Sequence, residues 1–213
     1  MSTRSEELFE RFCAEHSVPC KRINVGSEQT PDYELEVGGI LLAVEVKQLD
    51  RDEDPTWREG EVKVHSTTPG DHIRRKITKA GPQLRTRAEA GQPSMLIIYN
   101  NIYRGIQVYC EPYDFLVAMY GLQSIVVGVP KGGSPYVKGQ RFGPKRKMTE
   151  STNTSFSALA CLREDMDERL SLDVFHNAYA STPLEPRLLT AGTIQHFAIP
   201  KGAVDFVEWE RLG

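Results

Sequence analysis

The chain has 213 residues, with 26 Lys and Arg against 29 Asp and Glu, so its net charge is −3. That length suits one domain, and a composition of 39% hydrophobic and 26% charged residues excludes a disordered chain, a collagen-like repeat and a coiled coil. No stretch approaches the roughly 20 apolar residues needed to span a bilayer, the polar start is no secretory signal, and the weak negative charge excludes a wholly basic nucleic-acid coat while leaving room for a local basic patch.

In chain order, the first element is an amphipathic helix over 5–16. Leu8, Phe9 and Phe12 fall at helical spacing, and Glu6, Glu7 and Glu10 crowd the first turns, where the helix dipole favours acids. Val18-Pro19 ends it. Residues 33–37 alternate apolar and polar, as in a half-buried strand. Gly38-Gly39 is a two-residue hairpin signal. Residues 40–47 are nearly all apolar up to Glu45 and read as a central strand covered on both faces. Residues 50–70 are charged, contain Pro55 and Pro69, and read as a long loop. Asp71 is the expected cap of a helix running to about Ala90, with Pro82 predicting a kink or a break. A buried strand over 94–100, a short helix over 111–120 and a strand over 124–129 follow. The Gly-, Pro- and Lys-rich stretch 130–155 reads as an exposed hairpin or flap. Further strands are expected at 156–163 and 170–176, with one element each at 193–200 and in the last ten residues. The pattern predicts an α/β domain with a mixed central β-sheet flanked by helices, its core at about 5–130 and a β-rich C-terminal elaboration over 131–213.

The chemistry concentrates in Thr30-Pro31-Asp32 and Glu45-Val46-Lys47. If Gly38 and Gly39 form the loop, Val37 faces Ile40, Leu35 faces Leu42 and Asp32 faces Glu45. Directly opposed residues share a sheet face, with Cβ atoms about 4.5–5.5 Å apart. Lys47, two residues beyond Glu45, shares that face. A slip of one residue would destroy the arrangement. Opposed carboxylates repel, so something must offset them. Lys47 is one answer, and a divalent cation such as Mg²⁺ or Mn²⁺ is a better one, because Mg²⁺ is commonly held by one or two carboxylates. Such an ion polarises phosphoryl oxygens, and a neighbouring lysine can orient water or stabilise developing charge. The competing view is a surface hairpin with a lysine–carboxylate cluster, worth below about 1 kcal/mol per exposed pair. Leu41, Leu42, Ala43 and Val44 argue against it.

A helix bearing an acid, then Pro31-Asp32, a hairpin and Glu45-x-Lys47 resembles the PD-(D/E)XK nuclease superfamily, the restriction-endonuclease-like fold, over roughly residues 5–100. The resemblance implies Mg²⁺-dependent cleavage of nucleic acid, with DNA the expected substrate. It implies that Asp32 and Glu45 are metal ligands, that Val46 lends its backbone carbonyl and that Lys47 is the catalytic lysine. Glu7 matches the extra acid of the first helix, with Glu6 and Glu10 as rivals. Gln48 and Gln83 fall where some members carry accessory residues. Nucleases of this type often pair as homodimers to cut both strands.

Two acid-free basic segments suit phosphate contact. One holds Arg74, Arg75, Lys76, Lys79, Arg85 and Arg87. The other holds Lys138, Arg141, Lys145, Arg146 and Lys147 around Phe142. The competing readings are a solvated helix face and a charged loop tip. His176-Asn177 reads as a hydrogen-bonded structural pair, and His72 as a neighbour of the helix start. His16, His65 and His196 have no partner in sequence, and Trp57 suits either base stacking or core cover. Cys13, Cys20, Cys110 and Cys161 include no C-x-x-C pair and read as reduced thiols of a cytoplasmic protein. No Walker loop, Rossmann fingerprint, G-x-S-x-G elbow or H-E-x-x-H motif is present. The expected function is a metal-dependent nuclease. The alternatives are a catalytically silent nuclease-fold module that binds nucleic acid, and an unrelated α/β interaction module with a coincidental motif.

Overall fold

The chain starts with a helix because Thr3 and Glu6 close a reciprocal cap. The Thr3 hydroxyl accepts from the Glu6 N–H, and the Glu6 carboxylate accepts from the Thr3 N–H at 2.9 Å. This computed structural model describes residues 2–23, 30–50, 68–102, 109–203 and 205–212. Most of the expected 50–70 loop, with Trp57 and His65, lies outside them. Helix α1 (Arg4–Glu15) buries Leu8, Phe9 and Phe12, each worth about 1.5–3 kcal/mol of transfer free energy. A three-residue strand that periodicity did not predict, β1 (Cys20–Arg22), follows.

Strands β2 (Tyr33–Val37) and β3 (Ile40–Leu49) pair antiparallel in the expected register, with Val37 opposite Ile40 and Leu35 opposite Leu42. Gly38 and Gly39 both have positive φ, +58° and +80°, as a tight hairpin turn requires. Helix α2 (Asp71–Glu89) runs as one element through Pro82, not as two pieces. The carbonyl that Pro82 leaves without its helical donor belongs to Thr78, and both residues are exposed, so water can satisfy it. The cap also differs from expectation. Gly70, not Asp71, is the N-cap, with φ +77° and its N–H donated to the Asp114 carboxylate at 3.1 Å. A Cβ there would stand 2.7 Å from the Asp114 carbonyl oxygen, so only glycine fits.

The remaining elements are β4 (Ser94–Asn100), α3 (Pro112–Tyr120), β5 (Gln123–Gly128), β6 (Tyr136–Phe142), β7 (Ala158–Glu164), β8 (Leu170–His176), β9 (Ile194–Ala198) and β10 (Glu210–Leu212). Eight strands form one mixed sheet in the order β1-β2-β3-β4-β7-β8-β9-β10. The β3–β4, β4–β7 and β8–β9 pairs are parallel and the others antiparallel. The C-terminal strands therefore continue the central sheet and are not an appendage beside it. The boundary expected at 130 falls between β5 and β6, which form a separate two-stranded sheet.

Two apolar layers flank the sheet. Leu42, Val44 and Val46 of β3 join α1 on one face. Ala43 and Leu49 join α2 and α3 on the other. Every residue of β4 is buried, as a central parallel strand requires. No helix among the described residues is long and apolar enough to cross a membrane.

Candidate active site

Alternation along β3 puts Glu45 and Lys47 on the α2 side of the sheet, together with Ala43 and Leu49. Asp32 stands one residue beyond the last β2–β3 pair, Tyr33 opposite Val44, so the register carries it to Glu45. The Asp32 carboxylate accepts a hydrogen bond from the Val46 N–H at 2.8 Å. In extended backbone the carbonyl of a residue faces the same side as its N–H, so the Val46 carbonyl is also turned toward the β2 side, where Asp32 stands. Lys47 is ion-paired with one oxygen of Glu45 and keeps a quarter of its side chain exposed. The expected trio is thus gathered at one place.

Burial dominates its electrostatics. Glu45 is 1% exposed, and its second oxygen, Oε2, is buried with no hydrogen-bond partner. Burial pushes the Glu45 carboxyl up to about 7, against the hydrogen bond from Lys47, and the charge of Asp32 adds to the rise. Burial also pushes Asp32 upward, opposed by the Val46 N–H and by Lys47. A buried acceptor without a donor costs roughly 1–3 kcal/mol. A divalent cation would satisfy Oε2 and offset both carboxylates, so these residues fit one. Among the described residues no three His, Cys, Asp or Glu side chains gather around one point, so the candidate is a carboxylate pair plus a backbone carbonyl.

The first helix corrects one expectation. Glu7 is exposed, and its carboxylate makes no hydrogen bond or ion pair among the described residues. Its neighbour Glu6, one of the rivals, is the acid whose charge acts on Asp32. Arg22 holds that acid at 2.9 Å and Glu10 at 3.2 Å. Gln48, on the opposite face of β3 from Lys47, accepts from the Ser5 N–H at 3.0 Å and donates to Asp50, so it ties α1 to the end of β3. Gln83, with its amide oriented to satisfy its surroundings, donates to the Lys79 and Ala80 carbonyls of its own helix and contributes nothing to the site.

The basic residues divide. Arg74 is 5% exposed and donates to the carbonyls of Pro69, Lys145 and Val117 and to Asp71, so it bolts α2 to α3 and cannot face a phosphate. Arg75 and Lys79 are exposed. Lys76, read only as part of the basic run, is the residue that sequence reasoning undervalued. Burial lowers its pKa, and the charges of Lys79, Lys47 and Arg75 add to the lowering while Asp50 opposes it, which puts Lys76 within electrostatic range of the site. Its i−4 and i+3 spacing to His72 and Lys79 marks one helix face and is the signal that could have found it. In the second segment, Lys145 pairs with Asp71 at 3.3 Å, Arg146 donates to the Phe142 and Gly143 carbonyls, and Lys147 donates to Thr78. Lys138 and Arg141 are exposed, and their side chains make no hydrogen bond or ion pair among the described residues.

Asn177 is structural, bonded to the Asn153 and Phe156 carbonyls and the Tyr179 N–H. His176 finds a partner invisible in sequence, His196 on the next strand, β9, at 2.9 Å, and His196 in turn meets the Leu189 carbonyl at 2.8 Å. Neither a family model, nor a curated protein, nor a solved structure matches this chain.

Proposed function

We propose that this chain is a metal-dependent nuclease of the PD-(D/E)XK, restriction-endonuclease-like type, hydrolysing phosphodiester bonds of DNA. The observation that carries the reading is Glu45: a buried carboxyl opposite Asp32, beside Lys47, with one oxygen lacking any partner. Asp32, Glu45 and the Val46 carbonyl would hold Mg²⁺ or Mn²⁺. When bound, the cation supplies Lewis-acid polarisation of a phosphoryl oxygen and lowers the pKa of water.

The protein groups divide the remaining work. The Val46 N–H fixes the Asp32 carboxylate in one orientation. The Lys47 ammonium has three donors and uses one on Glu45, which leaves others for the attacking water or for charge on the phosphoryl oxygens. Lys76 and Lys79 hold the flanking phosphates as point charges. A second reading, a module of the same fold that binds without cutting, draws on one observation. Among the described residues only two carboxylates meet, and Glu7 stands apart.

A nicking assay on supercoiled plasmid separates the two. Cleavage is expected with Mg²⁺ or Mn²⁺, is absent in EDTA, and falls roughly 100-fold or more in Asp32→Ala and Lys47→Ala proteins that melt cooperatively. Equal activity in either variant and wild type sinks the nuclease reading. Metal-independent binding of nucleic acid with no product under any metal favours the silent module.

A further inference from the structure

We infer that the two-stranded arm of β5 and β6 is a duplex-reading ribbon that enters the major groove, an inference that rests on the nucleic-acid reading above. Its stem is tied down. The Leu122 N–H donates to the Pro144 carbonyl, the Gly143 N–H donates to the Leu122 carbonyl, Phe142 is buried beside Tyr120 and Phe206, and the Phe206 N–H donates to the Gln140 carbonyl. Beyond the stem the arm stands free, and every residue from 129 to 141 is exposed.

One face of the arm is apolar without a core to meet. Val127 lies opposite Val137, and Ile125 lies opposite Gln140, so these four share a face. Ile125, Val127 and Val137 are 57%, 53% and 61% exposed. The register shifts between Val126 and Val127, leaving Lys138 as the extra residue of a bulge, a device that sharpens twist.

Charge selects the occupant. From 115 to 149 the chain has six Lys and Arg and no Asp or Glu. Three of the six brace the stem against α2 or nearby carbonyls. The side chains of the other three, Lys131, Lys138 and Arg141, have no hydrogen bond or ion pair among the described residues. A second copy docked arm to arm would bring these cations together. Duplex DNA instead supplies phosphates for them. Its major groove, about 12 Å wide, admits a two-stranded ribbon, offers thymine methyls to Ile125, Val127 and Val137, and offers acceptors to the amide nitrogen of Gln140, whose oxygen accepts from Gln123.

The test is binding, not cleavage. Fluorescence anisotropy in EDTA would compare wild type with Lys131→Ala/Lys138→Ala/Arg141→Ala and with Val127→Ser/Val137→Ser, on duplexes of several sequences and on single strands. The triple variant is expected to flatten the slope of log K against log salt by about 2.7, or 0.9 for each lost phosphate contact. The double variant is expected to weaken binding about tenfold on the preferred duplex and to level the preference among sequences. Unchanged melting temperatures would show both variants folded. Three outcomes overturn the inference: wild type that binds no duplex or binds single strands equally well, variants that bind as wild type does, and sedimentation showing a dimer that the double variant splits. Arm-dependent binding by a wild type that never cuts would sink the nuclease reading and spare this one. Cleavage unaffected by both arm variants would do the reverse.

Discussion

A carboxyl group with one oxygen ion-paired and the other unbonded in the interior is costly to charge. For Glu45 the folded value near 7 stands above the ordinary 4.5, so the folded state binds its proton more tightly. The stability this contributes is complete below about pH 4.5 and is lost as pH rises through 7, a loss of at most about 3 kcal/mol. In EDTA above pH 7, Glu45→Gln should therefore melt higher than wild type. Wild type should gain about 2.7 kcal/mol at a Mg²⁺ concentration a hundred times its Kd, and the variant should gain nothing. Calorimetry checks both, and a metal response in Glu45→Gln would remove Glu45 from the cation site. Arg74 offers the contrasting case. Arg74→Ala should cost about 3 kcal/mol, since it strands buried carbonyls on three segments, and should leave the salt dependence of nucleic-acid binding unchanged. Lys79→Ala should do the opposite, with stability within about 0.5 kcal/mol of wild type and a shallower salt slope. Nothing in the basic run itself distinguishes these side chains. Arg74 is buried by α3 and by Lys145, 71 residues away, and only the packed fold brings those carbonyls to it.

At the scale of elements, the β2–β3 hairpin was the most legible part of the chain. Two adjacent glycines dictate the turn, the turn dictates the register, and the register dictates that Asp32 meets Glu45. The two glycines are not equivalent, however. A Cβ at Gly38 collides with the Leu188 side chain, while a Cβ at Gly39 meets nothing. Both alanine variants bear the left-handed strain of about 1–2 kcal/mol, so Gly38→Ala should unfold at lower denaturant than Gly39→Ala. Equal midpoints would mean that Leu188 yields freely. Illegible elements were those made by distant partners. Strand β1 has three residues and exists because Arg22 spans the acids of α1 and β2 carries the pairing. The His176–His196 contact needs β9 to lie parallel to β8, which no local pattern announces. The choice of Glu6 over Glu7 depends on how α1 is rotated against the sheet edge, and three acids in the first turns of one helix give no hint of it.

For the whole molecule, the buried Glu45 and the half-buried His176 set opposing pH responses. Burial and the neighbouring His196 depress His176 to about 4, below the ordinary 6.5. The folded state therefore binds that proton less readily, and the stability His176 contributes is present above 6.5 and lost as pH falls toward 4. Glu45 acts in the other direction over an overlapping window. His196, also depressed by burial, adds to the His176 side, so Glu45 offsets only part of it and the melting profile of metal-free protein should climb gently with pH between 4.5 and 6.5. With saturating Mg²⁺ holding Glu45 ionised, the profile should climb more steeply with pH across that range, and His176→Phe should reduce the climb. A thermal melt series in EDTA and in Mg²⁺ decides this, and identical profiles in both would contradict it. The distribution of charge has a further consequence. The stretch 115–149 carries +6 in a chain whose net charge is −3, so the remainder carries −9. The protein is therefore a permanent dipole. Near a polyanion it experiences torque before it experiences contact, turning the arm forward while its acidic remainder is pushed away, so that most encounters begin in one orientation.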